Sequence, residues 1–285
     1  MAPVLALLSA VTLAQAPAWP REGAALSPPA LPAPPARKVR VAIDAGHGAP
    51  GNHGAQSCRC EAEEDFTLRE AGRLAEALEA TGAFEVLRLR DGDGHPSYAR
   101  RIRDAVAFGA QAVLSLHFDV RGEAVWWSPA PGLTCARSLG RETVLPPGVP
   151  PEAAHDSSGF AVLWSAQGEA SLVARRAALG RALAVALADA GLEPYDGVDY
   201  PGLYRGDETP GGFVDAHPPR QRIWMLSRPE LPVLILETHH ALDVEERARW
   251  DEPATHRAVA AAVAAALLET LRAPAPATGA RAGGT

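Results

Sequence analysis

The sequence predicts an α/β fold, a single domain with a mostly parallel twisted sheet flanked by helices. Two observations predict it. Short apolar, β-branched runs at 39–43, 84–89, 112–116 and 231–236 alternate with stretches of helical period. The first, third and last of these runs also each lead to an ionisable residue, as expected where a parallel sheet presents its carboxyl edge.

In order, Val39, Val41 and Ile43 alternate with polar or small residues before Asp44-Ala45-Gly46-His47-Gly48 ends the strand in a Gly-rich loop. From Asp65 to about Ala80 the period is helical, with Phe66, Ala71, Leu74, Ala75 and Leu78 on one face and Gly82 as stop signal. A second strand spans 84–89, a second helix 96–108 and a third strand 112–116, ending at His117. A Pro- and Gly-rich insertion at 121–158 follows, long for a segment without regular structure. It contains Trp126, Trp127 and Cys135, and reads either as a lid or wall over the active edge or as a surface loop. A strand at 160–164, an Ala-rich helix at 171–190, another irregular stretch at 192–222, the strand ending at Glu237 and a helix at 253–271 complete the domain. The domain is bounded at 38–272.

Outside it, residues 17–37 read as a Pro/Ala-rich linker and 273–285 as a tail without core-forming pattern. Residues 1–16 read as a signal peptide. Their apolar run, 4–13, is too short to span a bilayer, and Ala14-Gln15-Ala16 fits the cleavage pattern, although no Lys or Arg precedes the run. Export to the periplasm or the extracellular space is therefore expected, with no transmembrane span. The chain has 285 residues and a net charge of −7, which argues against nucleic acid as a partner because phosphate binding needs a basic face. Three cysteines, Cys58, Cys60 and Cys135, leave two readings: three small buried thiols, or a bridge from Cys58 or Cys60 to Cys135.

His47, His117 and Glu237 fall just past predicted strand ends, so three strands deliver ionisable groups to one edge. Two His and a carboxylate can hold zinc and leave a position open for water, and a further carboxylate can move the proton. Glu61, Glu63, Glu64 or Asp65 can supply the ligand carboxylate, and periodicity does not choose among them. Carboxylates also favour a helix N-terminus on their own account.

The segment from Val41 to Leu68, with IDAGHG near its start and EEDFTL at its end, resembles the opening of the zinc-dependent N-acetylmuramoyl-L-alanine amidases. SLH at 115–117 and PVLILE at 232–237 resemble the later motifs of that family, and Arg90, Arg101 and Ala105 follow its spacing. The resemblance implies one zinc ion per chain on His47, Glu63 and His117, with Glu237 as catalytic base. It implies peptidoglycan as partner and cleavage between N-acetylmuramic acid and L-alanine; the need for a protein activator is left open, and a monomer is expected. The chain departs from the family at Ala49, at Asp119, at Thr238-His239-His240 and at Asp243. His239 is read either as an added polar group facing substrate or as a solvated loop residue, and His53, His95, His155, His217 and His256 as surface or loop residues. Rival readings are a catalytically silent wall-binding protein on the same fold and a zinc amidohydrolase acting on small acyl-amino acids.

Overall fold

The computed structural model describes residues 25–92, 94–139 and 158–271. The signal segment, the tail and His155 lie outside them. The chain runs through β1 (Val39–Ala45), α1 (Glu63–Ala80), β2 (Phe84–Arg88), α2 (Tyr98–Phe108) and β3 (Ala112–Asp119). A hairpin follows, β4 (Ala124–Ala130) and β5 (Leu133–Ser138). Then come β6 (Ala161–Trp164), α3 (Ala170–Asp189), β7 (Tyr204–Gly206), β8 (Gly212–Asp215) and α4 (Trp224–Ser227). The last elements are β9 (Val233–His240), α5 (Val244–Arg249) and α6 (Pro253–Leu271).

Seven strands form one sheet in the order β2-β1-β3-β9-β6-β8-β7. β2, β1, β3 and β9 are parallel neighbours, and α1 and α2 supply the crossovers that parallel pairing requires. β6 is antiparallel to β9, β8 is parallel to β6, and β7 is antiparallel to β8. The expected mostly parallel sheet is therefore present. The last strand in sequence sits at its centre, against β3.

Successive side chains of a strand point to opposite faces, and the two faces are covered by different helices. Val41, Ile43, Leu114, Leu116, Leu234 and Leu236 share a core with α1, α3 and α6. Ala42, Val113, Leu163, Val233 and Ile235 share another with α2, α4 and the segment around Tyr195. The five apolar positions expected on one face of α1 are all buried. α6 is long and apolar enough to cross a membrane by length and composition. Its Ala258, Val259, Ala262, Val263, Leu267 and Leu268 are buried in the core, so here it packs as a core helix. Residues 25–35 have no helix or strand, yet Leu26 packs against the core and the Ser27 N–H donates to Ala190 O at 2.9 Å.

Four expectations need correction. His117 and Glu237 do not lie past their strands. β3 and β9 continue to Asp119 and His240, because the two pair directly through His117 and Glu237 before a bulge. α1 begins at Glu63, two residues earlier than its apolar period suggests, with three carboxylates in its first turn. The insertion is not structureless. Its first part is the β4–β5 hairpin, turned by Gly132 in the left-handed region, while 140–157 lie outside the described residues. The stretch 192–222 contains β7 and β8, three- and four-residue strands too short to show a period but held by pairing along the sheet edge.

Cys60 and Cys135 form a disulfide, with Cα atoms 5.2 Å apart, and Cys58 is a buried free thiol. The bridge ties β5 to the loop before α1. Burial pushes the Cys58 thiol up to about 11, which keeps it protonated and inert. Denatured protein should therefore show one reactive thiol without reductant and three with it. Because the bridge spans 75 residues, Cys135→Ser should cost roughly 4 kcal/mol in a chain-entropy account, read as a lower urea midpoint. Three reactive thiols in unreduced protein would contradict the pairing.

Candidate metal centre

Register places the polar groups of the site. β1 and β3 pair Asp44 with Ser115, and β3 and β9 pair His117 with Glu237. Alternation puts all four on the face that carries Ala42, Val113 and Ile235, so they stand in a row across three strands. His47 follows on the loop after β1, and Glu63 enters from the first turn of α1.

His47, Glu63 and His117 bring their ligand atoms together. Glu63 Oε1 lies 3.0 Å from His47 Nε2 and 3.0 Å from His117 Nδ1, and the two imidazole nitrogens are 3.1 Å apart. Of the four carboxylates that the sequence left open, only Glu63 reaches them. Glu61 pairs with Arg69 and Arg247, Glu64 with His53, and Asp65 is exposed.

Hydrogen bonds behind the imidazoles fix their tautomers. The Ser115 hydroxyl donates to Asp44 Oδ2 at 2.6 Å, so it has only lone pairs left for His117 Nε2 at 3.2 Å. His117 Nε2 must carry the proton, and Nδ1 faces Glu63 with its lone pair. Asn52 Nδ2 donates to the Tyr98 hydroxyl, which turns Asn52 Oδ1 toward His47 Nδ1 at 2.8 Å. His47 therefore holds its proton on Nδ1 and presents the lone pair of Nε2. Such partners are what orient metal-binding imidazoles.

Beneath this layer, Asp44 and Arg101 form an ion pair at 3.0 Å with both side chains wholly buried. Arg101 also donates to the carbonyls of Ala45, His47 and Pro96. Arg90 donates to Ala45 O, Gly46 O and Glu64 O, tying the loop after β1 to α1. These bonds hold His47 at φ 60, a left-handed conformation that costs a non-glycine residue roughly 1–2 kcal/mol. Two glycines make room. A Cβ on Gly46 would sit 2.4 Å from the His117 ring, and one on Gly54 2.6 Å from Glu63 Oε2.

Charge follows geometry. Burial pushes the Glu63 carboxyl up, but positive charge beside it outweighs burial: when the inward nitrogens of His117 and His47 carry protons in place of a cation, their hydrogen bonds and charges hold Glu63 down to about 2. Burial draws the His47 imidazole down, and Glu63 more than reverses this, raising it above its ordinary range. Glu237 is the opposite case. Burial, then the charges of Asp119 and Glu63, push its carboxyl well up, Arg121 pulls only partly back, and Oε2 has no hydrogen-bond partner among the described residues.

Residues that the sequence gave no role complete the surroundings. Arg121 donates to Asp119 Oδ2 at 3.0 Å and to Gly159 O at 2.8 Å, and lies 3.9 Å over the Tyr195 ring. Tyr195, Tyr200 and Tyr204 continue outward as edge-on ring pairs. No motif marks them, but Asp44 and Ser115 did carry a signal, as polar residues at inward positions of otherwise apolar strands. His239 fits neither expectation: it is 1% exposed, stacked on Trp250 and packed by Phe66 and Phe118. The continuation of β9 past Glu237 and the bulge turn it into the core. His256 is likewise no loop residue, but lies on α6 and reaches Trp250 O and Glu70.

A family profile for N-acetylmuramoyl-L-alanine amidase matches residues 41–269. The chain belongs to this family. Its reaction class is therefore that of a cell-wall amide hydrolase. Solved amidases share the fold. The chain is 19% identical to Ami1 of Mycobacterium smegmatis over 82% of this chain and 96% of that one, with a TM-score of 0.58. It is 16% identical to an amidase of Clostridium difficile 630 over 82% and 97%, at 0.55. It is 20% identical to AmiC2 of Nostoc punctiforme over 82% and 98%, at 0.52. No curated protein matches the chain by sequence.

Arg101→Leu should strand the Asp44 carboxylate in the core and cost about 3–5 kcal/mol, read as a lower urea midpoint. Adding Asp44→Asn should recover part of the loss. A single variant as stable as the parent would show that the pair does not hold the site together.

Proposed function

We propose that the protein hydrolyses the amide bond between N-acetylmuramic acid and L-alanine in peptidoglycan, with one zinc ion on His47, Glu63 and His117 and with Glu237 as proton carrier. The observation that carries this reading is the facing of two imidazole lone pairs and one carboxylate oxygen at about 3 Å from one another. Their outer nitrogens are engaged by Ser115 and Asn52, so the three atoms turned inward are all electron donors. Three such atoms call for a cation among them, and two His with one carboxylate suit zinc with an open position. Zinc bound there supplies Lewis acidity toward an amide carbonyl and toward water.

The chain's own residues supply the rest. Glu237 stands beside His117 in register, on the same face. Its unpartnered Oε2 can take a proton from the attacking water and return it to the departing nitrogen. Its raised proton affinity favours the second step. The low-dielectric surroundings that raise it also strengthen any charge interaction with the reacting group.

The setting expected is outside the cytosol, with residues 1–16 as export signal and peptidoglycan as partner. The Cys60–Cys135 bridge supports an oxidising compartment. A protein activator is compatible with this reading, and a monomer suffices for it.

Metal analysis and peptidoglycan digestion on wild type, Glu237→Gln and His117→Ala test the proposal together. Wild type and Glu237→Gln should each hold one zinc, and only wild type should release stem peptides at full rate, with Glu237→Gln slower by about 10²–10⁴-fold. His117→Ala should lose both metal and turnover. Gln copies the shape of a protonated Glu237, so its thermal midpoint should stay within about 2 °C of wild type. Near-normal turnover in Glu237→Gln would remove the proton role, and protein that takes up no zinc would remove the metal.

A further inference from the structure

The β4–β5 hairpin stands apart from the main sheet, but both its attachments lead to the metal centre. It begins seven residues after His117, and through Cys135 it is bonded to Cys60, three residues before Glu63. Trp127 lies across from Cys135 and donates its indole N–H to Cys58 O at 2.9 Å, on the same loop. The Ser138 N–H donates to Leu242 O at 2.8 Å, just after β9. The hairpin is thus fastened by a covalent bond and two hydrogen bonds to segments adjoining two of the three ligand-bearing elements and β9.

Its other face is uncovered among the described residues. Trp126, directly opposite Ala136, is 76% exposed. Alternation sets Ala124, Thr134 and Ser138 on the same side, all small and none charged. The indole is the one large exposed apolar side chain on that face among the described residues, since Leu133 belongs with Cys135 on the opposite face. We infer that this face is a built-in carbohydrate platform that grips the glycan strand of the cell wall beside the catalytic edge. The inference rests on peptidoglycan being the substrate, and adds a second point of contact to it.

Three features favour a sugar over other occupants. A single aromatic ring offers about 150–250 Å² of contact, far below the roughly 800 Å² that each partner gives a stable protein interface. Among the described residues the face carries no charge, which suits a neutral N-acetylhexosamine and neither a nucleic acid nor an acidic polymer. A pyranose ring presents a flat face of C–H bonds edged by hydroxyls. Trp126 supplies a matching flat apolar surface, and Thr134 supplies a hydroxyl beside it. The small neighbours leave the ring face open where larger side chains would cover it. The fastenings at Trp127, Cys135 and Ser138 hold the backbone that carries the indole, so less order has to be gained on binding.

The test is calorimetric titration of the full, oxidised protein with the β-1,4-linked tetramer of N-acetylglucosamine. That probe lacks the muramoyl–alanine bond, so binding is read separately from hydrolysis. Wild type should bind, Trp126→Ala should bind about tenfold more weakly, and Trp126→Phe should recover part of the loss. Retention on insoluble peptidoglycan should fall in the same order. Circular dichroism and sedimentation of the variants check that fold and association state are unchanged. Equal binding by wild type and Trp126→Ala, or no binding by wild type, would overturn the platform. So would loss of self-association in Trp126→Ala without a change in sugar binding, which would make this face a protein contact. A wild type that binds the tetramer through Trp126 but releases no stem peptide would leave the platform standing and remove the amidase reading.

Discussion

Asp44 and Arg101 meet at 3.0 Å with no exposure to solvent, and the corner that holds His47, Glu63 and His117 is organised around that contact. Neither charge could remain buried alone, since a stranded partner costs several kcal/mol. Paired, they do two jobs. The second oxygen of Asp44 accepts a hydrogen bond from the Ser115 hydroxyl, which leaves Ser115 able only to accept from His117 and so sets the tautomer of that ring. The remaining N–H groups of Arg101 hold the carbonyls of Ala45 and His47 and keep the loop after β1 in its left-handed turn. One ion pair thus sets the tautomer of one imidazole and the backbone of the other.

The sheet makes this arrangement rigid. Its two faces differ in kind: one is mainly apolar and closed by α1, α3 and α6, while the other carries the polar row from Asp44 to Glu237. Parallel strands in register hold Ser115 beside Asp44 and Glu237 beside His117, and the packed core behind them resists displacement. Only Glu63 comes from a helix, and the N–H groups of Ala55 and Phe118 fix its carboxylate from both sides. Flexible loops are therefore kept out of most of the site, which favours precise positioning.

At the rim the chain uses other means. The β4–β5 hairpin has no core of its own, and two strands are marginal by themselves. The disulfide to Cys60 and the bond from Trp127 to Cys58 O take the place of a core. On the far side of Glu237, Arg121 links Asp119 to Tyr195 and to Gly159 O. The departure from the family pattern at Asp119 is thereby accounted for: its charge is matched by a guanidinium within the chain.

Much of this was legible in the sequence, because its determinants are local. Alternation in β1, the helical period of α1 and the small and polar residues ending each run specify elements and their order, and the boundaries of α6 coincide with those expected. The ionisable residues at 47, 117 and 237 follow from the same local strings, whereas four neighbouring carboxylates at the entry to α1 look alike locally and only the fold brings Glu63 to the two imidazoles. What the sequence alone did not decide was everything that depends on two distant segments meeting. The extension of β3 and β9 through His117 and Glu237 comes from their mutual pairing, the burial of His239 from a bulge between them, and the strands β7 and β8 from a neighbour along the sheet edge. The choice of Cys60 over Cys58 likewise depends on where the hairpin lies. Local propensity reports what a segment prefers, whereas partners, tautomers and buried charges are fixed only once the tertiary fold sets which groups share a space without water.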